Sequence, residues 1–474
     1  MKAFTEPLLS LAGFEEMTKT AEKSSGLISV TGCIDAQKSQ MIYAFGGHRK
    51  NKLIVTFGEQ KAKELYDEYS FFDKEVVYYP SKDVLFYQSD IRGNLLTAER
   101  IRALKAIREQ ERVTLVTTFD ALMNTMAPIE KMWENVLTLE QGQLLDLKEI
   151  QAALIRMGYE KEYQVQTMGQ FSVRGGILDV FPLTEENPIR IELWGDEIDT
   201  IRYFDCESQK SIENTDRVSI YPAAEIVLSD EEKAGGIDKL KAEAKRVSEK
   251  LRKQMKTEEA HRVTVMADEL TEEWGELSMY AGMDAFLSYF FDERVGLLDY
   301  FKPSDSLIFF DELTRCAEQG KLTETEFSES MKQRLAMGYI LPGQMNGLFT
   351  EKEIVAKLEK YSCIALGALD NKANGLHQLG SYGIHCQSVS PYNNSFELLI
   401  KDLKRYKKNG YRVILLSGSR TRAKRLSEDI TDQGITCFYT ENYDHELSEG
   451  QIMVCYGKVR RGFEYPILKF AVIT

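Results

Sequence analysis

Gly32-Cys33-Ile34-Asp35-Ala36-Gln37-Lys38-Ser39 follows the apolar run Leu27-Ile28-Ser29-Val30. A loop that cradles phosphate reads Gly, four residues, Gly-Lys-Ser/Thr, set between a strand and a helix. Gly32, Lys38 and Ser39 stand at that spacing, and Gln37 replaces the second glycine. That glycine lets the backbone N–H groups close around the phosphate, so a Gln side chain there implies strain or a filled phosphate space. Cys33 and Ile34 are bulky, and Asp35 puts a negative charge where a triphosphate would lie. A second candidate is Asp311-Glu312, which ends the apolar run Ser306 to Phe310. An acid pair at such a strand end holds magnesium and polarises water in nucleotide-driven motors. Two readings are open from the residues alone: a nucleotide site that has lost its activity, or an ordinary strand-to-helix turn.

These residues need a sheet to hold them. Apolar runs at Lys52 to Phe57, Glu75 to Tyr79, Val113 to Thr118 and Tyr361 to Ala368 alternate with amphipathic helical stretches at Gln60 to Tyr69 and Leu95 to Gln110. A further helix starts at Asp120. Such alternation predicts a parallel α/β sheet, and with the loop at Gly32 it resembles half of a RecA-like motor domain. The pattern changes at Phe171 to Phe181, which reads as a strand with a Gly175-Gly176 interruption. Ile189 to Trp194 and Ile198 to Phe204 follow, separated by Gly195-Asp196-Glu197, and predict a hairpin-rich β insertion. Ile237, Leu240, Ala244, Val247, Leu251 and Met255 form one stripe of a long helix, expected to pack against the sheet.

The last stretch predicts a small α/β unit. A helix through Phe396, Leu399, Ile400, Leu403 and Tyr406 is capped by Asn393, Asn394 or Ser395 and stopped by Asn409-Gly410. Strands at Val413 to Leu416, Ile435 to Tyr439, Ile452 to Tyr456 and Ile467 to Ile473 follow. The final apolar strand runs to Thr474, as in a fragment of a longer chain.

Composition narrows the function classes. A net charge of -14 argues against a general nucleic-acid binder. The basic residues Lys401, Lys404, Arg405, Lys407, Lys408, Arg420, Arg422, Lys424 and Arg425 read first as solvated helix faces, since no aromatic platform interleaves them. The seven cysteines are scattered and contain no CxxC, which predicts reduced thiols in a cytoplasmic protein, without a zinc site. No run reaches membrane-span length. No histidine constellation suggests a triad or a metal, so no catalytic residue and no cofactor is assigned.

Gly169 to Asp205, GQFSVRGGILDVFPLTEENPIRIELWGDEIDTIRYFD, resembles a segment shared by UvrB and the transcription-repair coupling factors. Tyr79-Pro80 through Asp90 and Glu99-Arg100 resemble the coupling-factor version of the first domain. In UvrB the phosphate loop is intact and a long hairpin grips DNA. Here Gln37 breaks the loop, and Tyr78 to Asp90 is too short for that hairpin. The resemblance therefore implies the non-catalytic N-terminal region of a coupling factor. The implied fold is a degenerate RecA-like parallel-sheet domain (1–125 and 214–386), split by an inserted β-rich domain (126–213) and followed by a small separate α/β domain (387–474). The implied function is recruitment of UvrA during transcription-coupled nucleotide excision repair. In the full-length protein this region restrains the motor, and RNA polymerase and double-stranded DNA bind elsewhere. Arg174, Arg190 and Trp194 match the family's partner-contact positions, with Glu192 and Arg202 beside them.

The residues speak to this separately. In a strand Arg190, Glu192 and Trp194 share one face, and Ile189, Ile191 and Leu193 the other. The aliphatic face belongs to the core, which leaves Trp194 and Arg190 either for a partner or for packing on their own domain. Arg174 has a competing role as a local ion pair to Asp179 or Glu192. The alternative function is an active UvrB-like or helicase-like ATPase using Lys38 and Asp311-Glu312.

Overall fold

Strands covered by helices on both faces are apolar throughout, and that is why the short runs at Leu27, Leu53, Val113, Leu307 and Cys363 assemble together. The computed structural model describes residues 1–45, 49–82, 93–276, 282–369, 375–392 and 395–474. Most of the Tyr78–Asp90 stretch and the capping candidates Asn393 and Asn394 lie outside them.

Seven strands form one parallel sheet in the order Gln378–Gly383, Gly26–Thr31, Ser362–Leu366, Ser306–Asp311, Asn51–Thr56, Val113–Thr118 and Val77–Tyr79. The chain leaves this sheet after Thr118 and returns at Ser306, so the two halves of the sheet are far apart in sequence. The edge strand Gln378–Gly383 is polar and glycine-rich, and the sequence pattern does not announce it.

Between the halves lies a second sheet of six strands, ordered Ser211–Thr215, Glu197–Phe204, Ile189–Trp194, Ile177–Val180, Gln170–Arg174 and Glu160–Lys161. The Gly175-Gly176 pair is not an interruption within one strand. It is a two-residue hairpin turn between Arg174 and Ile177, which pair across it. Gly175 takes φ 60°, a conformation glycine adopts without strain. Leu137–Glu140 pairs with Arg217–Ile220 at the base of the insertion. Phe171, Leu178, Ile189, Ile191 and Ile201 of the inserted sheet share one core with Leu53, Leu115 and Ile308 of the parallel sheet.

The long helix Asp230–Lys253 departs from expectation. Its stripe packs not on the sheet but in a helical cluster with Ala260, Val263, Ala267 and Trp274 of Thr257–Glu276, and with Phe286 and Phe290. The second helix supplies the apolar face the first one needs. Met255 leaves the stripe, because it sits at φ 63° in the turn between the helices and is 88% exposed.

The C-terminal unit has its own sheet, ordered Gln387–Ser388, Phe463–Tyr465, Phe470–Ile473, Arg412–Ser417, Ile452–Tyr456 and Phe438–Tyr439. Helices Phe396–Lys408 and Arg420–Asp432 contribute to one core with Val413, Leu415 and Val454. Ser395 occupies the N-cap position of the first, without a side-chain cap bond. The other face (Ile414, Leu416, Met453, Cys455) joins a continuous core with Phe4, Tyr69, Phe71, Ile28 and Ile54. The N-terminal helix Lys2–Leu9 lies in this seam. Ala3 N–H donates to Tyr443 O at 2.9 Å, and Phe4 packs edge-on against Phe71 and Phe72. Gln40 Nε2 donates to Phe4 O at 2.5 Å, and Tyr465 Oη donates to Gln40 Oε1 at 3.1 Å.

A small cavity of 210 Å³ at this seam is lined by Asp35, Lys61, Glu64, Glu68, Arg460 and Arg461. Burial pushes the Glu68 carboxyl up to about 7, outweighing the bonds and cations that act the other way. A folded-state pKa above the unfolded one favours folding at low pH and is lost as pH rises through the folded value. Glu68 therefore weakens the fold progressively between about pH 4.5 and 7. Glu68→Gln is expected to leave thermal stability at pH 4 unchanged and to raise it by about 1–3 kcal/mol at pH 8. Melting curves at the two pH values check the sign; equal effects at both would contradict it.

Candidate functional site

The strand Gly26–Thr31 delivers Gly32 at φ 78°. A Cβ there would stand 2.1 Å from Ile384 O, so the backbone that crosses the strand end requires glycine. The helix begins at Asp35, leaving only Cys33 and Ile34 between Gly32 and its first turn. A phosphate cradle needs a longer arc of free N–H groups ahead of the helix. Two of the groups ahead of the helix are used internally: Gly32 N–H donates to Ala368 O and Cys33 N–H to Gly367 O at 3.0 Å. Gln37 does not cause the backbone strain its type suggested. It sits inside the helix without positive φ, and its side chain is buried beside the Cys33 thiol. Burial pushes that thiol up to about 12, so it is inert as a nucleophile at neutral pH.

Lys38 and Ser39 lie on this helix and are buried. Lys38 Nζ donates to Asp311 Oδ1 at 2.5 Å, Glu312 Oε1 at 2.9 Å and Asp35 Oδ1 at 3.2 Å. Thr56 Oγ1 donates to Asp311 Oδ2 at 2.9 Å, and Lys61 reaches Asp35 Oδ2 at 3.0 Å. Burial alone would lower the Lys38 ammonium; the Asp311 and Glu312 carboxylates outweigh it and hold the ammonium above its usual range. Glu312 sits at φ 58°, a left-handed position that aims its carboxylate back at Lys38 while the helix Leu313–Ala336 departs. The spacing-based candidates Lys38, Asp311 and Glu312 are therefore brought together, and they neutralise one another. Three carboxylates face two lysines, which leaves no positive charge for a phosphate. Lys38→Met would leave Asp311 buried without its cation and is expected to lower stability by about 3–5 kcal/mol, read from urea unfolding. A loss under about 1 kcal/mol would mean that the cluster holds nothing together.

The inserted sheet carries the other candidates. Cross-strand register sets Ser172, Asp179, Arg190, Arg202 and Asn214 in one row, and Arg174, Ile177, Glu192 and Thr200 in the next, all on one face. Asp179 is 1% exposed and receives Arg174 Nη2 at 2.9 Å, Arg190 Nε at 2.7 Å and Arg190 Nη2 at 2.8 Å. The Arg190 guanidinium also lies 4.3 Å from the Phe204 ring centre and donates to Gln209 Oε1 at 2.8 Å. Its bonds to Asp179 raise its pKa further. Arg202 is paired with Glu192 in the neighbouring row. Ile189 and Ile191 are buried on the opposite face. Trp194 ends its strand at the Gly195-Asp196 turn and is 84% exposed. Arg174, Arg190, Glu192 and Arg202 are thus partly covered and ion-paired, while Trp194 projects alone. Alternation identifies the face, but it does not show that Asp179 lies opposite Arg190 and gathers both arginines.

The basic residues from Lys401 to Arg425 flank the inward-facing Leu399, Leu403 and Tyr406 and the buried Ala423 and Ile430. Arg405 pairs with Asp402, and Arg420 with Glu441. Among the described residues no cluster of His, Cys, Asp or Glu suits a metal ion, and no helix is long and apolar enough to cross a membrane.

Residues 137–226 match the family described as the UvrB interaction domain. The chain is also similar along nearly its whole length to curated transcription-repair-coupling factors. It is 27% identical to that of Bacillus subtilis (strain 168) over 423 residues, covering 89% of this chain and 35% of the relative. It is 26% identical to those of Staphylococcus haemolyticus (strain JCSC1435) and Staphylococcus aureus (strain MRSA252), covering 94% and 97% of this chain and 38% and 39% of the relatives. The chain spans between a third and two-fifths of the length of these relatives.

Proposed function

We propose that this chain, which corresponds in sequence to the N-terminal region of transcription-repair coupling factors, is a non-catalytic module that recruits UvrA for nucleotide excision repair. One observation carries the reading: within the stretch matched as an interaction domain, Trp194 is left 84% exposed at the end of an otherwise well-packed strand. Tryptophan is rarely left so open, and with arginine it dominates binding hot spots. Arg174, Arg190, Glu192 and Arg202 lie on the same sheet face to one side of it, already fixed by ion pairs. A preordered face loses little side-chain entropy when a partner arrives.

The same reading makes the Gly32 to Ser39 loop a structural relic that needs no cofactor. In the full-length protein the module would restrain a DNA-translocating motor, with RNA polymerase and double-stranded DNA bound by other regions. The proposed division is 1–125 with 214–386, 126–213 and 387–474. The convergence of Lys38, Asp311 and Glu312 favours a second reading, an ATPase whose loop reopens around nucleotide. It requires Lys38 to leave both carboxylates.

Trp194→Ala is expected to weaken UvrA binding by about 30-fold with an unchanged melting temperature. Arg190→Ala is expected to weaken binding and also to lower stability by about 2–4 kcal/mol, because buried Asp179 loses two of its bonds. Interferometry with purified UvrA, alongside thermal melts, separates the two effects. Full-strength binding by Trp194→Ala would refute the assignment of this surface. ATP with magnesium is expected to leave the melting temperature unmoved, since only a ligand of the native state raises it. A clear rise would favour the ATPase reading.

A further inference from the structure

A groove of 670 Å³ opens on the far side of Trp194 from the arginine rows. Its walls are the Trp194–Asp199 turn, the Glu140–Gly142 turn and the Asp216-Arg217 pair. Backbone bonds fix them: Gly142 N–H donates to Ile198 O at 2.8 Å, Ile198 N–H to Gln143 O at 2.9 Å, Leu145 N–H to Asp196 O at 2.8 Å and Gln141 N–H to Asp216 O at 2.9 Å. Gln141 Nε2 adds a bond to Asp199 O at 2.7 Å. Four carboxylates line this groove, those of Glu140, Glu197, Asp199 and Asp216. Arg217 Nε reaches Glu140 Oε1 at 3.3 Å. Among the described residues Glu197, Asp199 and Asp216 have no ion-pair partner. Three unpaired like charges gathered round one exposed tryptophan repel one another and do nothing for the fold.

We infer that this groove receives an extended arginine- or lysine-bearing segment of the recruited protein, with Trp194 as its aromatic wall. The inference rests on the recruitment reading above and adds the chemistry of the partner. A guanidinium over the indole face gains a cation–π contact, and the flanking carboxylates supply charge-assisted hydrogen bonds. A purely apolar segment would bury those carboxylates unpaired, and nucleic acid would be repelled. The arginine rows carry one positive charge in excess, from Arg174, Arg190 and Arg202 against Asp179 and Glu192. Trp194 thus stands between a mildly basic face and a strongly acidic groove. That polarity selects a partner whose charges run in the opposite order, and fixes the direction in which it docks.

The test compares the parent chain, Trp194→Ala and the double variant Asp199→Lys with Asp216→Lys, each titrated with purified UvrA at 50 and 300 mM salt. Both aspartates are exposed, so the double variant is expected to melt like the parent. The expected result is at least about tenfold weaker binding by the double variant, with a shallower salt dependence than the parent. If Trp194→Ala loses binding while the double variant binds within about twofold of the parent, the groove inference is overturned and the recruitment reading survives. If the parent itself fails to bind UvrA, or Trp194→Ala binds like the parent, both are overturned. A parent dimer that the double variant dissolves would make a second copy of this chain the occupant, and would likewise overturn the inference.

Discussion

A single buried ammonium, that of Lys38, holds together parts of the chain that the sequence keeps far apart. It sits on the first helix after the first strand and meets Asp311 and Glu312 at the end of the strand that re-enters the sheet after the insertion. Thr56, from a third strand, closes the remaining side of Asp311. A carboxylate taken out of water alone is costly, and its neutralisation in place makes the arrangement all-or-none. The register of the first sheet, the early start of the helix at Asp35 and the closure of the loop at Gly32 are consistent with this one cluster. Residues at phosphate-loop spacing here form a buried ion cluster that ties the two parts of the parallel sheet together.

The inserted sheet repeats the device with the sign reversed. There the buried group is the carboxylate of Asp179, and two arginines converge on it. Arg190 does two jobs at once, since its stem and guanidinium cover Phe204 while its edge stays at the surface. Arg190 is therefore built into the packing of its sheet, whereas the exposed Trp194 is not.

Much of this is legible in the residues. Apolar runs bounded by turns give the parallel sheet because burial on both faces leaves no other composition for those strands. Alternation from Ile189 to Trp194 gives the two faces of the inserted sheet. Other features depend on distances in space. Residue types at loop spacing single out Lys38 and Ser39, yet they do not say where the helix begins, and that starting point sets how long a loop is left for a phosphate. The stripe on Asp230–Lys253 shows that a partner exists, and only the presence of Thr257–Glu276 shows which. The edge strand Gln378–Gly383 is held by backbone pairing to Gly26–Thr31 and by only two partly buried apolar side chains, Leu379 and Tyr382, so it leaves little mark in hydropathy. Arg174 takes Asp179, one of the two partners its residue types suggested; that Arg190 joins them follows from cross-strand register, which alternation within one strand does not carry.

The seam that buries the N-terminal helix has a consequence for how the chain is joined. Phe4 and Ala3 are tied to Phe71, Gln40 and Tyr443, and the inner face of the last sheet lies in the same continuous core. The polypeptide running from Ile384 to Gln387 is then only one of several attachments between the two sheets. Cutting it would convert an intramolecular contact into an intermolecular one without exposing the seam. The severed pieces would stay together as complementing fragments, each completing the hydrophobic interior of the other.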